Sequence, residues 1–220
     1  ADGVVWNTTA AIGDFDNDGY MDVSVGWANP SAAKISGFGD EYEFSAGVVF
    51  WNDGNMDWSK LMDWSSKLPN NYYGVNGIAN DMETIDFNND GYLDIVLAST
   101  KVDPYYDARA VQFFLNNGDR TFSDVTSTYN PDIEKYANGI ENGWWNGEGS
   151  LHILDFDNDG DLDIVDSVNG TYVLINEVGT FSIYDNYPRM FADGHYDEGE
   201  CGGCRYFPVE IDGKWQYDFI

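Results

Sequence analysis

Three copies of one acidic segment constrain this chain more than anything else in it. They occupy residues 12–25, 84–97 and 153–166, and each contains Asp-x-[Asp/Asn]-x-Asp-Gly-x-x-Asp. Their first aspartates, Asp14, Asp86 and Asp155, lie 72 and 69 residues apart. Self-similarity at such a period is the signature of a repeated structural unit. After each copy and a variable stretch comes an aromatic or β-branched run ending at a turn, at 47–54, 110–118 and 170–176. The Asn-Asp-Gly and Asn-Asn-Gly triplets in the first two are hairpin signals, because Asn and Gly tolerate positive φ. A further strand is expected after each turn, at 56–61, 121–126 and 180–184, several with the apolar–polar alternation of a half-buried strand.

Each unit therefore reads as strand, acidic loop, strand, variable loop, strand, turn, strand. That is a four-stranded antiparallel meander, and no persuasive 3.6-residue periodicity competes with it. The expected fold is all-β, and four-stranded sheets repeated radially are the blades of a β-propeller. The chain divides as one repeat array over 1–220, with approximate units 1–72, 73–141 and 142–198 and a partial unit at 199–220. In this partial unit, 205–212 aligns with 148–155, and 213–220 replaces the loop and second strand. Its intervening acidic residues are gone, so this degenerate fourth copy is expected to hold no metal.

The acidic loops suit a hard cation. Oxygens at positions 1, 3, 5 and 9, with the carbonyl at position 7, can wrap it, and Gly at position 6 permits the sharp turn. The expected ligands are Asp14, Asp16, Asp18, Asp22 and the Tyr20 carbonyl in the first loop. In the second they are Asp86, Asn88, Asp90, Asp94 and the Tyr92 carbonyl; in the third, Asp155, Asp157, Asp159, Asp163 and the Asp161 carbonyl. An all-oxygen set disfavours zinc and copper, and about five protein oxygens suit calcium better than magnesium, which keeps its waters. About three calcium ions are expected; their six positive charges would take the net charge from −29 to −23. The EF-hand is excluded, since position 12 is Val25, Leu97 or Asp166 rather than Glu, and the flanks are β-rich.

These residues resemble the FG-GAP, or VCBS-type, repeats of integrin-α-like β-propellers. The residues 114–126 followed by Asp155-Phe-Asp-Asn-Asp-Gly-Asp-Leu-Asp163 look especially like bacterial and fungal members. The resemblance implies calcium-binding loops and a propeller, often of seven blades, in adhesion receptors, lectins and accessory domains of secreted enzymes. Three units and a fraction depart from that pattern. The expected solutions are a four-bladed ring completed by residues 3–6, a piece of a larger ring, or open edges that pair with another copy.

Composition removes several functions. A net charge of −29 repels nucleic acid and anionic membrane. The longest apolar run, 46–51, is far too short for a membrane span, so no membrane insertion is expected. The two histidines, His152 and His195, have no nucleophile context, and the carboxylates are accounted for as metal ligands; the chain is not expected to be an enzyme. Cys201 and Cys204 form either a local disulfide or two free thiols in a turn. Sequons occur at Asn7 and Asn169, meaningful only in a secretory pathway.

Aromatic residues precede the first strand of each unit: Trp6, Tyr72, Tyr73, Trp144 and Trp145. Exposed, they would stack on sugars or anchor a protein partner; otherwise they fill the space between blades. The expectation is thus an extracellular or cell-surface calcium-binding repeat protein in adhesion or recognition, its partner a glycan or surface protein. The alternative is a building block that binds further copies of itself through open blade edges.

Overall fold

The computed structural model describes residues 7–27, 44–55, 63–101, 108–137, 150–167, 172–177, 179–184, 206–211 and 214–219. Three four-stranded antiparallel sheets follow one another along the chain, each in sequence order. The first is β1 (Asn7–Gly13), β2 (Asp22–Trp27), β3 (Gly47–Phe50) and β4 (Ser65–Lys67). The second is β5 (Gly77–Ile85), β6 (Asp94–Lys101), β7 (Ala108–Asn116) and β8 (Phe122–Asp124). The third is β9 (Ser150–Leu154), β10 (Asp163–Ser167), β11 (Tyr172–Asn176) and β12 (Phe181–Ile183). A hairpin, β13 (Tyr206–Ile211) with β14 (Lys214–Phe219), forms a separate two-stranded sheet where the sequence suggests a degenerate fourth copy.

The expected all-β class and the four-stranded meander both hold. One strand sits elsewhere than expected. The partner of β3 is Ser65–Lys67, a polar segment, whereas 56–61 lies outside the described residues. Ser65, Ser66 and Lys67 offer no apolar face to declare a strand. The β3 ladder places it, together with the Trp51 Nε1–H bond to Ser66 Oγ at 2.6 Å. Two four-residue helices, α1 (Thr126–Tyr129) and α2 (Glu134–Ala137), follow β8 and are too short to leave a periodic signal.

Register is the same in all three sheets. The residue before the first loop aspartate pairs with the ninth-position aspartate: Gly13 with Asp22, Ile85 with Asp94, Leu154 with Asp163. β1 and β5 even carry a bulge at the same place, between Asn7 and Thr9 and between Ala79 and Asp81.

The core lies between sheets. Ala11, Phe15, Val49 and Trp51 of the first unit meet Ile95, Leu97 and Phe114 of the second. Phe15 stands edge-on to Trp51 and Phe122, at centroid distances of 6.4 and 5.8 Å. In the second interface Ile85, Val96, Val111 and Phe113 meet Leu151, Ile164, Leu174 and Phe181. Each inner sheet face thus packs on the opposite face of its successor, and burial of these side chains is the main stabilising term. At the start of the array the equivalent face is less deeply buried. Val23, Val25 and Phe50 are only half-buried, while their second-unit counterparts Ile95, Leu97 and Phe114 are fully buried. The described residues establish sheets in neighbour-to-neighbour contact, without a closed ring.

The second interface also holds a buried ion pair. Arg109 Nε on β7 lies 3.2 Å from Asp166 Oδ2 on β10, both side chains being 1% exposed. By register Asp166 occupies the place of Leu97, and Arg109 that of Ser45. A serine and a leucine at the matching first- and second-unit positions are here an arginine and an aspartate.

Candidate metal centres

The nine-residue loops between first and second strands share one backbone geometry. Position 4 is Asn17, Asn89 or Asn158, with φ of 59°, 57° and 62°. Position 6 is Gly19, Gly91 or Gly160, with φ of 93°, 90° and 100°. Two left-handed residues within three positions fold the loop back on itself, which is why Asn and Gly stand there.

The fold-back aims backbone N–H groups at the acidic side chains. In the first loop Asp14 accepts from Asp18 N–H and Gly19 N–H at 3.0 and 2.9 Å, and Asp18 accepts from Tyr20 N–H at 2.9 Å. The second repeats this with Asp86, Asp90, Gly91 and Tyr92 at 3.1, 2.9 and 2.9 Å. In the third, Asp155 accepts from Gly160 N–H at 3.2 Å and Asp159 from Asp161 N–H at 2.9 Å.

These bonds gather the odd-numbered carboxylates. Asp14, Asp16 and Asp18 each bring an oxygen within 4.8 Å of the others, as do Asp155, Asp157 and Asp159. In the second loop Asn88 occupies the middle place; its Oδ1 accepts from Asp90 N–H at 3.0 Å and its Nδ2 donates to Asp90 Oδ2 at 2.8 Å. Oxygen donors drawn together in this way fit a hard divalent cation, and the gathered like charges repel one another. When bound, such an ion would supply the positive charge that offsets this repulsion.

The ninth-position aspartates stand apart from these groups and have a second duty. Asp22, Asp94 and Asp163 are buried at the start of the second strand. One oxygen of each accepts the position-2 N–H of its loop, from Phe15, Phe87 and Phe156 at 3.0, 3.2 and 2.7 Å. The other accepts the N–H of an asparagine ending the third strand, from Asn52, Asn116 and Asn176 at 2.7, 2.8 and 2.8 Å. Each carboxylate therefore clamps the acidic loop to the turn beside it. Both oxygens retain a lone pair beyond these bonds. Burial pushes the Asp22 carboxyl up to about 6 and Asp94 up to about 7, against the backbone donors that lower it, and neighbouring loop carboxylates add to the rise. Asp163 is raised for the same leading reason.

The asparagines are functional residues that sequence reasoning missed. They read only as hairpin punctuation, yet each side chain also closes the loop. Asn52, Asn116 and Asn176 donate through Nδ2 to the position-8 carbonyls of Met21, Leu93 and Leu162, at 3.1, 3.0 and 3.3 Å. Asn at the same step of all three repeats was the available signal.

The expected ligand surface is placed only in part. Tyr72 and Tyr73 stack edge-on at 5.1 Å and turn to α2, where Tyr72 donates to Glu134 Oε1 at 2.5 Å and Tyr73 to the Ala137 carbonyl at 2.8 Å. Their rings pack with Ala110 and Ile133. Burial, then the Glu134 carboxylate, raise the Tyr72 hydroxyl. Trp6, Trp144, Trp145, Cys201, Cys204 and Asn169 lie outside the described residues. Asn7 opens β1, and no helix among the described residues is long and apolar enough to cross a membrane.

Comparison with known proteins gives one match and one blank. Residues 86–165 match the family model of the FG-GAP-like repeat, from the first carboxylate of the second loop to the second strand of the third unit. No curated protein matches the chain. The second acidic loop, the strands that follow it and the third acidic loop together form an FG-GAP-like repeat segment.

Proposed function

We propose that the chain is an extracellular, non-catalytic, calcium-stabilised β-propeller-type repeat protein acting in adhesion or recognition, with a glycan or surface protein as partner. The observation that carries the calcium reading is the gathering of oxygen donors by the same backbone fold in every loop, with three carboxylates within 4.8 Å in two of them. Calcium then has a structural task, tying the first two strands of each unit. At a free concentration 100 times the dissociation constant, each independent site would add about 2.7 kcal/mol. Asp86→Ala should lower the thermal midpoint in calcium and matter little in chelator; an equal loss in both conditions would remove calcium from the account. A glycan array on the calcium-loaded chain tests the recognition half.

Self-assembly is favoured by a separate observation: the outer face of the first unit carries Ile12 and Met21, 64% and 63% exposed, beside the half-buried Val23 and Val25. A second copy offering its last sheet would cover it head to tail. Light scattering in calcium and in chelator distinguishes a monomeric module from a calcium-dependent oligomer.

A further inference from the structure

The first loop has a cation of its own. Arg120 belongs to the β7–β8 turn of the second unit, yet it crosses to the first. Its Nε donates to Asp16 Oδ2 at 2.8 Å, and its Nη2 lies 2.5 Å from the same oxygen and 4.0 Å from Asp18 Oδ2. Three further features hold it there. The guanidinium carbon sits 5.5 Å from the centroid of the Trp51 ring. The Arg120 carbonyl accepts from Ser66 Oγ at 2.7 Å, the same hydroxyl that receives Trp51 Nε1–H. Its backbone lies in the left-handed region, at φ 66°.

The third unit shows what that position ordinarily wants. Asn117 N–H bonds the Thr121 carbonyl, and Glu177 N–H bonds the Thr180 carbonyl, which aligns the two turns at their ends. The counterpart of Arg120 is then Gly179, with φ 85°. A long cationic side chain stands where the backbone favours glycine, and its head lies on a neighbouring unit's carboxylates. An outlier of this kind points to a task for the side chain.

We propose that Arg120 is a built-in counter-cation that weakens the divalent affinity of the first loop relative to the third. This inference rests on the calcium reading above. The first and third loops share one carboxylate pattern, Asp14, Asp16, Asp18 against Asp155, Asp157, Asp159, and the Arg120 guanidinium lies on the first. Affinity of such loops follows their ligand charge, and guanidinium is charged at every working pH. With Arg120 half-exposed, water and salt screen the effect to about tenfold. The loops then load in sequence, the third before the first.

Calcium calorimetry on the full chain tests this. Asp14→Asn marks the first-loop component of the isotherm and Asp155→Asn the third. The first-loop component should be about tenfold weaker in the wild type. Arg120→Gly, which suits the left-handed backbone, should tighten it about tenfold and leave the third unchanged. Arg120→Lys, which keeps the charge, should leave the wild-type order, and Arg120→Gln repeats the neutral test with a side chain retained. First-loop affinity that is unchanged or weaker in both neutral variants overturns the inference while calcium binding stands. Absence of calcium binding in the wild type overturns the calcium reading and this inference with it.

Discussion

Asp94 shows how much one side chain carries here. It is fully buried, both its oxygens are engaged by backbone N–H groups, and burial lifts its carboxyl to about 7. Asp94→Asn would turn one acceptor into an amide donor facing another donor. We expect a loss of about 1–3 kcal/mol in chelator, read from urea unfolding, because a buried donor is left unmet. The raised carboxyls of Asp22 and Asp94 also set a pH dependence. Between their ordinary value of 3.8 and about 6 to 7, the folded chain holds protons that the unfolded chain has released. Raising pH through that window therefore favours unfolding. The metal-free thermal midpoint should fall from pH 4 to pH 7, and a rise through that range would refute the protonated clamp. The aspartates were legible in the sequence as acidic positions of a repeat. Their clamping role was not, because Asn52, Asn116 and Asn176, their backbone partners, lie 30, 22 and 13 residues away.

At the scale of elements, register follows from the repeat. Three loops of equal length, between strands whose successive side chains face opposite neighbours, allow one pairing, and a slip by one residue would turn every side chain to the wrong face. The meander was therefore readable, as were most of its strands. β4 was not, because Ser65, Ser66 and Lys67 carry no pattern and owe their place to β3. The buried pair between β7 and β10 was equally silent, since Arg109 and Asp166 are 57 residues apart and nothing in the repeat at Asp166 points to a cation. Arg109→Ala would leave the buried Asp166 carboxyl without its cation and still facing Asp81, at a cost of about 3–5 kcal/mol by chemical denaturation. Replacing the pair by Ser at 109 and Leu at 166, the residues found at the matching first- and second-unit positions, should recover most of it. A double variant no better than the single would show that the pair does more than replace an apolar contact.

At the scale of the whole molecule, an antiparallel meander sorts its connections to two ends. The first-to-second and third-to-fourth turns share one end, and the second-to-third connection lies at the other. The shared end keeps one fastening in every unit, an aspartate bonding acidic loop and asparagine, although the third-to-fourth connections run over 51–64, 117–121 and 177–180. At the other end the second-to-third connections run over 28–46, 102–107 and 168–171. A short flexible insertion within 102–107 should leave the thermal midpoint within a few degrees, because lengthening a loop costs little entropy. The same insertion after Asn89 should remove the second loop's share of the calcium response, as it separates Asp86 from the donors that fix it.

Those two ends have different evolutionary freedom. Where an aspartate and an asparagine hold two turns together through five or so atoms, almost any change is felt at once. At the opposite rim, descendants of this chain can lengthen, shorten or rewrite a connection without disturbing the fastening. Variation at that rim leaves the aspartate and asparagine fastening in place, so the array keeps its fold while the connection changes.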